Sequence, residues 1–226
     1  MEAFLIKIIP NVVNLREEMI EALFDTIYMV SVAGVISTVI GFFIGILLVT
    51  TRKGGILENT LINNIVGKII NTFRSIPFII LLAAIMPITR FIAGTTIGTA
   101  GALVPLVFGA TPFVARQIES VLLDINPGVI EAAQAMGSSP FEIIYRVMLP
   151  EALGGIIYAI TITTVSLIGL SAMAGAIGGG GLGDFAIRYG YNAFKNDVMI
   201  VTVIILLILV NIVQGVGEHL LKKLSH

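Results

Sequence analysis

Read for runs of apolar residues, the chain divides into long uncharged stretches parted by short polar ones. Met1 to Asp25 is an amphipathic lead-in. Leu15, Met19, Ile20, Leu23 and Phe24 share one helical face, with Arg16, Glu17, Glu18 and Glu21 elsewhere. It either lies in the membrane interface or simply extends the first span. A basic start followed by a short apolar core is missing, so it does not read as a cleaved signal. Thr26 to Thr51 holds no charge and is long enough for a first span, since crossing takes about 20 apolar residues. Arg52 and Lys53 stop it, and Gly54 to Asn71 is a mixed connector with Lys68. The second span, Ser75 to Thr89, is short. Between Arg74 and Arg90 it reaches roughly 22 Å against a core of ~30 Å, so both arginines have to snorkel. Pro77 and Pro87 fall near its ends, where they disturb a helix least.

The third uncharged run, Phe91 to Ala115, contains Pro105 and Pro112 and ends at Arg116. The fourth is Ala152 to Gly183, and its glycine-rich end, Gly178 to Gly183, is expected to unwind. Asp184 to Asp197 reads as a polar connector, Val198 to Gly217 as the fifth span, and Lys222 and Lys223 follow it. The expected fold class is therefore an all-α integral membrane protein with five transmembrane helices. Residues 26–226 form one membrane domain behind a lead-in of residues 1–25.

The longest polar interruption, Asn126 to Glu151, is also the most sharply punctuated. Asn126 suits an N-cap and Pro127 the first helical position, where its missing N–H costs nothing. Gly137 stops that helix, because glycine takes the left-handed conformation cheaply. A second helix follows at once: Ser139 caps it, Pro140 opens it, and Glu142 completes a capping box. Pro150 closes the stretch. Ala132, Ala133 and Ala135 leave room for another surface to approach closely, or for the loop to pack on its own protein.

Composition narrows the choice. The chain has 226 residues, of which 57% are hydrophobic and 12% charged, with a mean hydropathy of +1.03. A soluble domain carries about 25% charged residues. A net charge of −1 leaves no basic footprint for nucleic acid. Without cysteine there is no disulfide or thiolate metal site, and the two histidines, His219 and His226, fall in the C-terminal tail, so no metal is expected. The glycine run is not a phosphate loop, since no Lys-Ser/Thr pair follows it and no strand precedes it. No Walker A pattern occurs elsewhere, so any ATP driving this protein binds to another chain. The middles of the expected spans hold no ionisable residue. That argues against a self-powered carrier and an intramembrane enzyme, and suits a passive gate moved from outside. Thr161, Thr163, Thr164, Ser166 and Ser171 lie in the fourth span among Gly169, Ala172, Ala174, Gly175 and Ala176. Their hydroxyls either line a polar path or bond back to their own helix. Met173 is the bulkiest residue of its run, fit to plug a pore or to pack in a core.

Glu131-Ala132-Ala133, Gly137 and Val147-Met148-Leu149-Pro150 resemble the EAA loop of ABC-importer permeases, with Val147 where isoleucine is usual. Asn71 to Phe78, Thr111 to Arg116, Gly178 to Asp184 and Tyr189-Gly190-Tyr191 are similar to the methionine-importer permeases of bacteria. The resemblance covers nearly everything after the lead-in. It implies a permease in the bacterial plasma membrane with no catalytic residues of its own. It implies a homodimer with the path at its two-fold axis and two ATP-binding subunits on the cytoplasmic face. ATP and Mg would sit on those subunits, no cofactor would sit in this chain, and a lipoprotein would deliver substrate from outside. The loop would be the coupling helix between spans three and four, with Glu131, Ala132, Ala133, Met136, Gly137, Ser138, Pro140, Leu149 and Pro150 as its contact and shaping residues. The resemblance also implies a fourth-span side chain that narrows the closed path. Met173 is the candidate, with Ser171, Thr164 and Gly175 around it.

With the loop cytoplasmic, Arg52, Lys53, Lys68, Arg74, Arg116, Arg146, Lys222 and Lys223 fall inside, and Lys7, Arg16, Arg90, Arg188 and Lys195 outside. That bias places the N-terminus outside and the C-terminus in the cytoplasm. A permease for another amino acid or related small solute is the competing reading, because no physical feature of the sequence selects methionine. An ATP-independent secondary transporter is the more distant one.

Overall fold

The computed structural model describes residues 9 to 224; Met1 to Ile8, including Lys7, and the tail residue His226 lie outside the described residues. Helices α1 (Pro10–Asn14) and α2 (Arg16–Thr51) open the chain. Helix α2 runs unbroken through Asp25, so over residues 16–25 the lead-in is an extension of the first span. Leu15, Met19 and Leu23 turn inward onto Val12, Leu182, Phe185 and Val198, while Ile20 and Phe24 stay exposed.

The second expected span is the largest departure. Helix α3 (Thr60–Ser75) meets α4 (Phe78–Ala84) at 105°, and α5 (Met86–Ala93) follows a break at Ile85. The cause is proline chemistry. Pro77 pushes the preceding Ile76 into extended backbone (φ −84°, ψ 123°), which ends α3. Pro87 lacks the N–H that would bond Ala83, and the chain kinks at Ile85 (φ −94°, ψ 9°). Pro77 and Pro87 thus shape the segment rather than sitting harmlessly at its ends.

Helix α6 (Gly98–Leu123) carries Pro105 and Pro112 inside it and passes Arg116 without stopping. The Arg116 guanidinium instead pairs with Glu119 and donates to the Gly67 carbonyl (3.2 Å) and Asn71 Oδ1 (3.0 Å), fastening α3 to α6. Helices α7 (Pro127–Ala135) and α8 (residues 140–151) form the polar elbow. Helix α8 does not close at Pro150. Its middle, Ile143–Met148, is wound in wider π turns, which relieve the clash a proline ring makes with the preceding turn. The chain runs on through Ala152 into α9 (Leu153–Ala174).

The glycine run does unwind: Ile177 and Gly178 leave helical backbone before α10 (residues 181–191) begins. It is nonetheless tightly held, and the expected connector after Asp184 is largely helical. The Leu182 N–H donates to Thr26 Oγ1 (2.8 Å), and Leu182, Gly183 and Phe185 are buried. Helix α11 (Asn196–Leu224) closes the bundle and includes His219. Its first turn is tied to α1, because Asp197 accepts from both the backbone and the side-chain N–H of Asn11, each at 2.9 Å.

Four helical segments are long and apolar enough to cross a membrane, Arg16–Thr51, Gly98–Leu123, Leu153–Gly179 and Asn196–Leu224, and the bent pair around Pro77 makes up to a fifth. In lipid the hydrophobic effect does not drive helices together, so close packing has to. Helices α2 and α6 meet at Gly41 and Gly45, four residues apart. A methyl group there would stand 2.6 Å from the Val114 side chain and 2.7 Å from that of Ile118. Between them, Met29, Ala33, Leu106 and Leu167 fill the middle of the bundle.

Candidate functional site

The elbow is a rigid block built from local chemistry. Asn126 accepts the Gly128 N–H through its side chain (2.9 Å) and Pro127 opens α7. At the other end Met136 is the cap and Gly137 has φ 82°, with the Gly137 N–H on the Gln134 carbonyl (2.9 Å) and the Ser138 N–H on the Ala133 carbonyl (3.1 Å). That pair of bonds is a Schellman motif. No atom would crowd a side chain at Gly137, so backbone conformation alone demands glycine. The capping box of α8 is formed: the Ser139 N–H and hydroxyl reach Glu142 Oε2 at 3.0 and 2.8 Å, and the Glu142 N–H points back to Ser139 Oγ at 3.4 Å. The Ser139 N–H, and secondly its hydroxyl, hold the Glu142 carboxyl below the usual carboxylate range.

The loop residues divide by face. Ala133 is buried with Leu122, Ile125, Ile143 and Met148, which seats the elbow on α6 and α9. Glu131, Ala132, Pro140 and Pro150 are exposed, Ser138 and Leu149 half-buried, and Met136 is 79% exposed. Phe141 and Tyr145 stack at 6.3 Å with planes 6° apart, and both are largely exposed, as Met136 is. Sequence reading missed this pair; the signal was two aromatics four apart on a capped helix outside the apolar runs.

The fourth-span candidates do not converge. Ser171 is buried and donates to the Ile168 carbonyl (2.8 Å), and Thr164 donates to the Ile160 carbonyl (2.9 Å). Thr161, Thr163 and Ser166 likewise bond back into their own helix. Gly175 is buried in the close approach of α9 to the turn before α10, where a side chain would come within 2.5 Å of the Asp184 nitrogen. Met173 is exposed on the surface of α9.

A cleft of about 310 Å³ opens where the bend after α3 meets α6 and α9. Phe73, Arg74, Ile76 and Phe78 line it from the bend, Phe113 from α6, and Ser166 and Leu170 from α9. Sequence reading placed Arg74 at the end of a span. The structure places it on the wall of this cleft, together with residues partway along two other long helices.

The model of the family described as "Binding-protein-dependent transport system inner membrane component" matches residues 37–226. The chain is 49% identical over 208 residues to the probable D-methionine transport system permease protein MetI of Vibrio cholerae, covering 92% of each. It is 41% identical to the methionine import system permease protein MetP of Bacillus subtilis, over 94% of this chain and 95% of that protein. Among solved structures it is similar to an inward-facing conformation of the MetNI methionine ABC transporter (44% identity, TM-score 0.92, 94% of this chain and 99% of that one). An amino acid ABC transporter crystallised with histidines shares the fold at 19% identity (TM-score 0.79, 95% and 98% covered).

Proposed function

Since the chain belongs to the family of binding-protein-dependent transport system inner membrane components, we propose that it is the membrane subunit of an ATP-driven methionine importer. The observation that carries the coupling role is the elbow. Its α7 is locked at both ends and seated through Ala133, while Glu131, Ala132 and Met136 face outward. Such a block transmits a push without deforming. The substrate is inferred from the methionine permeases and the methionine transporter that the chain resembles over more than nine-tenths of its length.

In this reading two copies of the chain form the path between them. Two ATP-binding subunits, carrying ATP and Mg, grip one elbow each from the cytoplasm, and a lipoprotein presents methionine outside. Closure of the ATPase pair draws the elbows together and opens the membrane part outward; hydrolysis resets it. The N-terminus then lies outside and the C-terminus in the cytoplasm. Met173, projecting from α9, is the side chain assigned to narrowing the path.

The test is uptake of labelled methionine by vesicles holding this chain with its ATPase and binding protein, with unlabelled amino acids as competitors. Gly137→Val forces a β-branched residue into left-handed backbone, a conformation that costs roughly 1–2 kcal/mol even for ordinary residues. ATP-dependent uptake is expected to fall about tenfold or more with the chain still in the membrane. Unchanged uptake would overturn the coupling role, and equal competition by unrelated amino acids would overturn the substrate.

A further inference from the structure

The cleft at the bend has a position and a chemistry that the elbow does not explain. Phe113 lies ten residues before the end of α6 at Leu123, and Thr163, also on the cleft wall, ten residues after the start of α9 at Leu153. At 1.5 Å per residue both are about 15 Å from the elbow end of their helices. Arg74, in the last turn of α3, shares the cleft with them. A charge between membrane-spanning helices is costly, and chains keep one there for a function.

Among the described residues Arg74 forms no ion pair and is the one charged side chain lining the cleft. Its guanidinium cannot release a proton, so it serves as a fixed cation and not as a proton relay. The walls beside it are aromatic and aliphatic. Gly109 makes room for one of them: a methyl group there would come within 3.1 Å of the Phe78 ring.

We propose that this cleft holds the transported amino acid on its way through the membrane, with the Arg74 guanidinium on its α-carboxylate. The assignment rests on the reading of the chain as an amino-acid permease. Planar guanidinium and carboxylate groups pair through two parallel hydrogen bonds. The rings of Phe73, Phe78 and Phe113 with Leu170 enclose an unbranched apolar side chain, and a thioether sulfur gains further from contact with aromatic rings. The α-ammonium group meets aromatic faces, which attract a cation. The volume suits one small zwitterion, at the low end of ligand sites.

The experiment compares methionine with methionine amide, which lacks the carboxylate, in vesicles containing the complete transporter. Wild type is expected to discriminate against the amide. Arg74→Ala is expected to raise the KM for methionine about tenfold or more and to erase that discrimination, since a hydrogen-bonded charge pair is lost. Arg74→Lys is expected to recover part of the affinity but not the full preference, because an ammonium cannot form the paired bonds. A merely structural arginine would lower uptake of both compounds and leave their ratio alone; that result overturns the proposal. Should Arg74→Ala fail to assemble, Arg74→Gln and Phe113→Ala carry the test, the latter expected to weaken both compounds equally. If wild type imports methionine and the Arg74 variants keep its preference, only the cleft assignment fails. If wild type accumulates no methionine at all, the importer reading fails and this assignment with it.

Discussion

Single atoms decide the packing of α2 on α6. At Gly45 an added methyl would stand 2.7 Å from the Ile118 side chain and 2.9 Å from the Ala115 carbonyl, and neither backbone nor β-carbon can step aside. At Gly34, on the same helix, the nearest atom would be the end of the Leu167 side chain at 3.5 Å, an ordinary contact. Gly45→Ala is therefore expected to lower the Tm of the detergent-purified chain, because overpacking a core costs roughly 1–3 kcal/mol. Gly34→Ala is expected to be neutral or slightly stabilising, because alanine is the better helix former. Equal melting temperatures for the two variants would show that helix contact is not tight at Gly45. Glu142 gives the other residue-scale expectation. Its carboxyl is held low by the Ser139 N–H and then the Ser139 hydroxyl, so the capping box is intact above the ordinary carboxylate range and lost as pH falls through the lowered value. The protection of the residue 141–145 amides, taken relative to their intrinsic exchange rate at each pH, is expected to fall only at acid pH, and Glu142→Gln to remove most of that dependence. A flat profile in the unaltered chain would sink the idea.

Among the elements, those set by local chemistry are the ones the amino acids announce. Asn126-Pro127, Gly137, and Ser139-Pro140 with Glu142 each carry their own reason to start or stop a helix, and the structure forms all three. Elements shaped by neighbours were hidden. Nothing within Ser75 to Thr89 says that Pro77 turns the chain by 105°, because a proline there is equally compatible with a straight helix beginning after it. Arg116 looked like a stop because its partners, Gly67 and Asn71, lie more than forty residues away. Pro150 looked like an end because π winding over Ile143–Met148 leaves no mark in composition. The elbow was thus legible and the cleft was not, because its walls come from three segments of the chain.

Taken whole, the molecule is a set of packed helices with one stiff elbow and no nucleotide-binding pattern in its sequence. Purified alone into vesicles it is expected to show no accumulation of methionine against a gradient, with or without a proton gradient, and to gain it only when an ATPase chain and ATP are supplied. Accumulation by the lone chain would demand an energy source inside it. Arg74, the one charged side chain lining the cleft among the described residues, is permanently ionised and offers none.

The hydrogen bonds between Asn11 and Asp197 join positions 186 residues apart. A ribosome delivers the first of these long before the second, and membrane helices enter the bilayer in that order. The amino-terminal turn must therefore wait, without its partner, until the final helix has been made. Nascent chains stalled before residue 197 would keep that turn open to protease, and release of the completed polypeptide would be the moment it becomes protected.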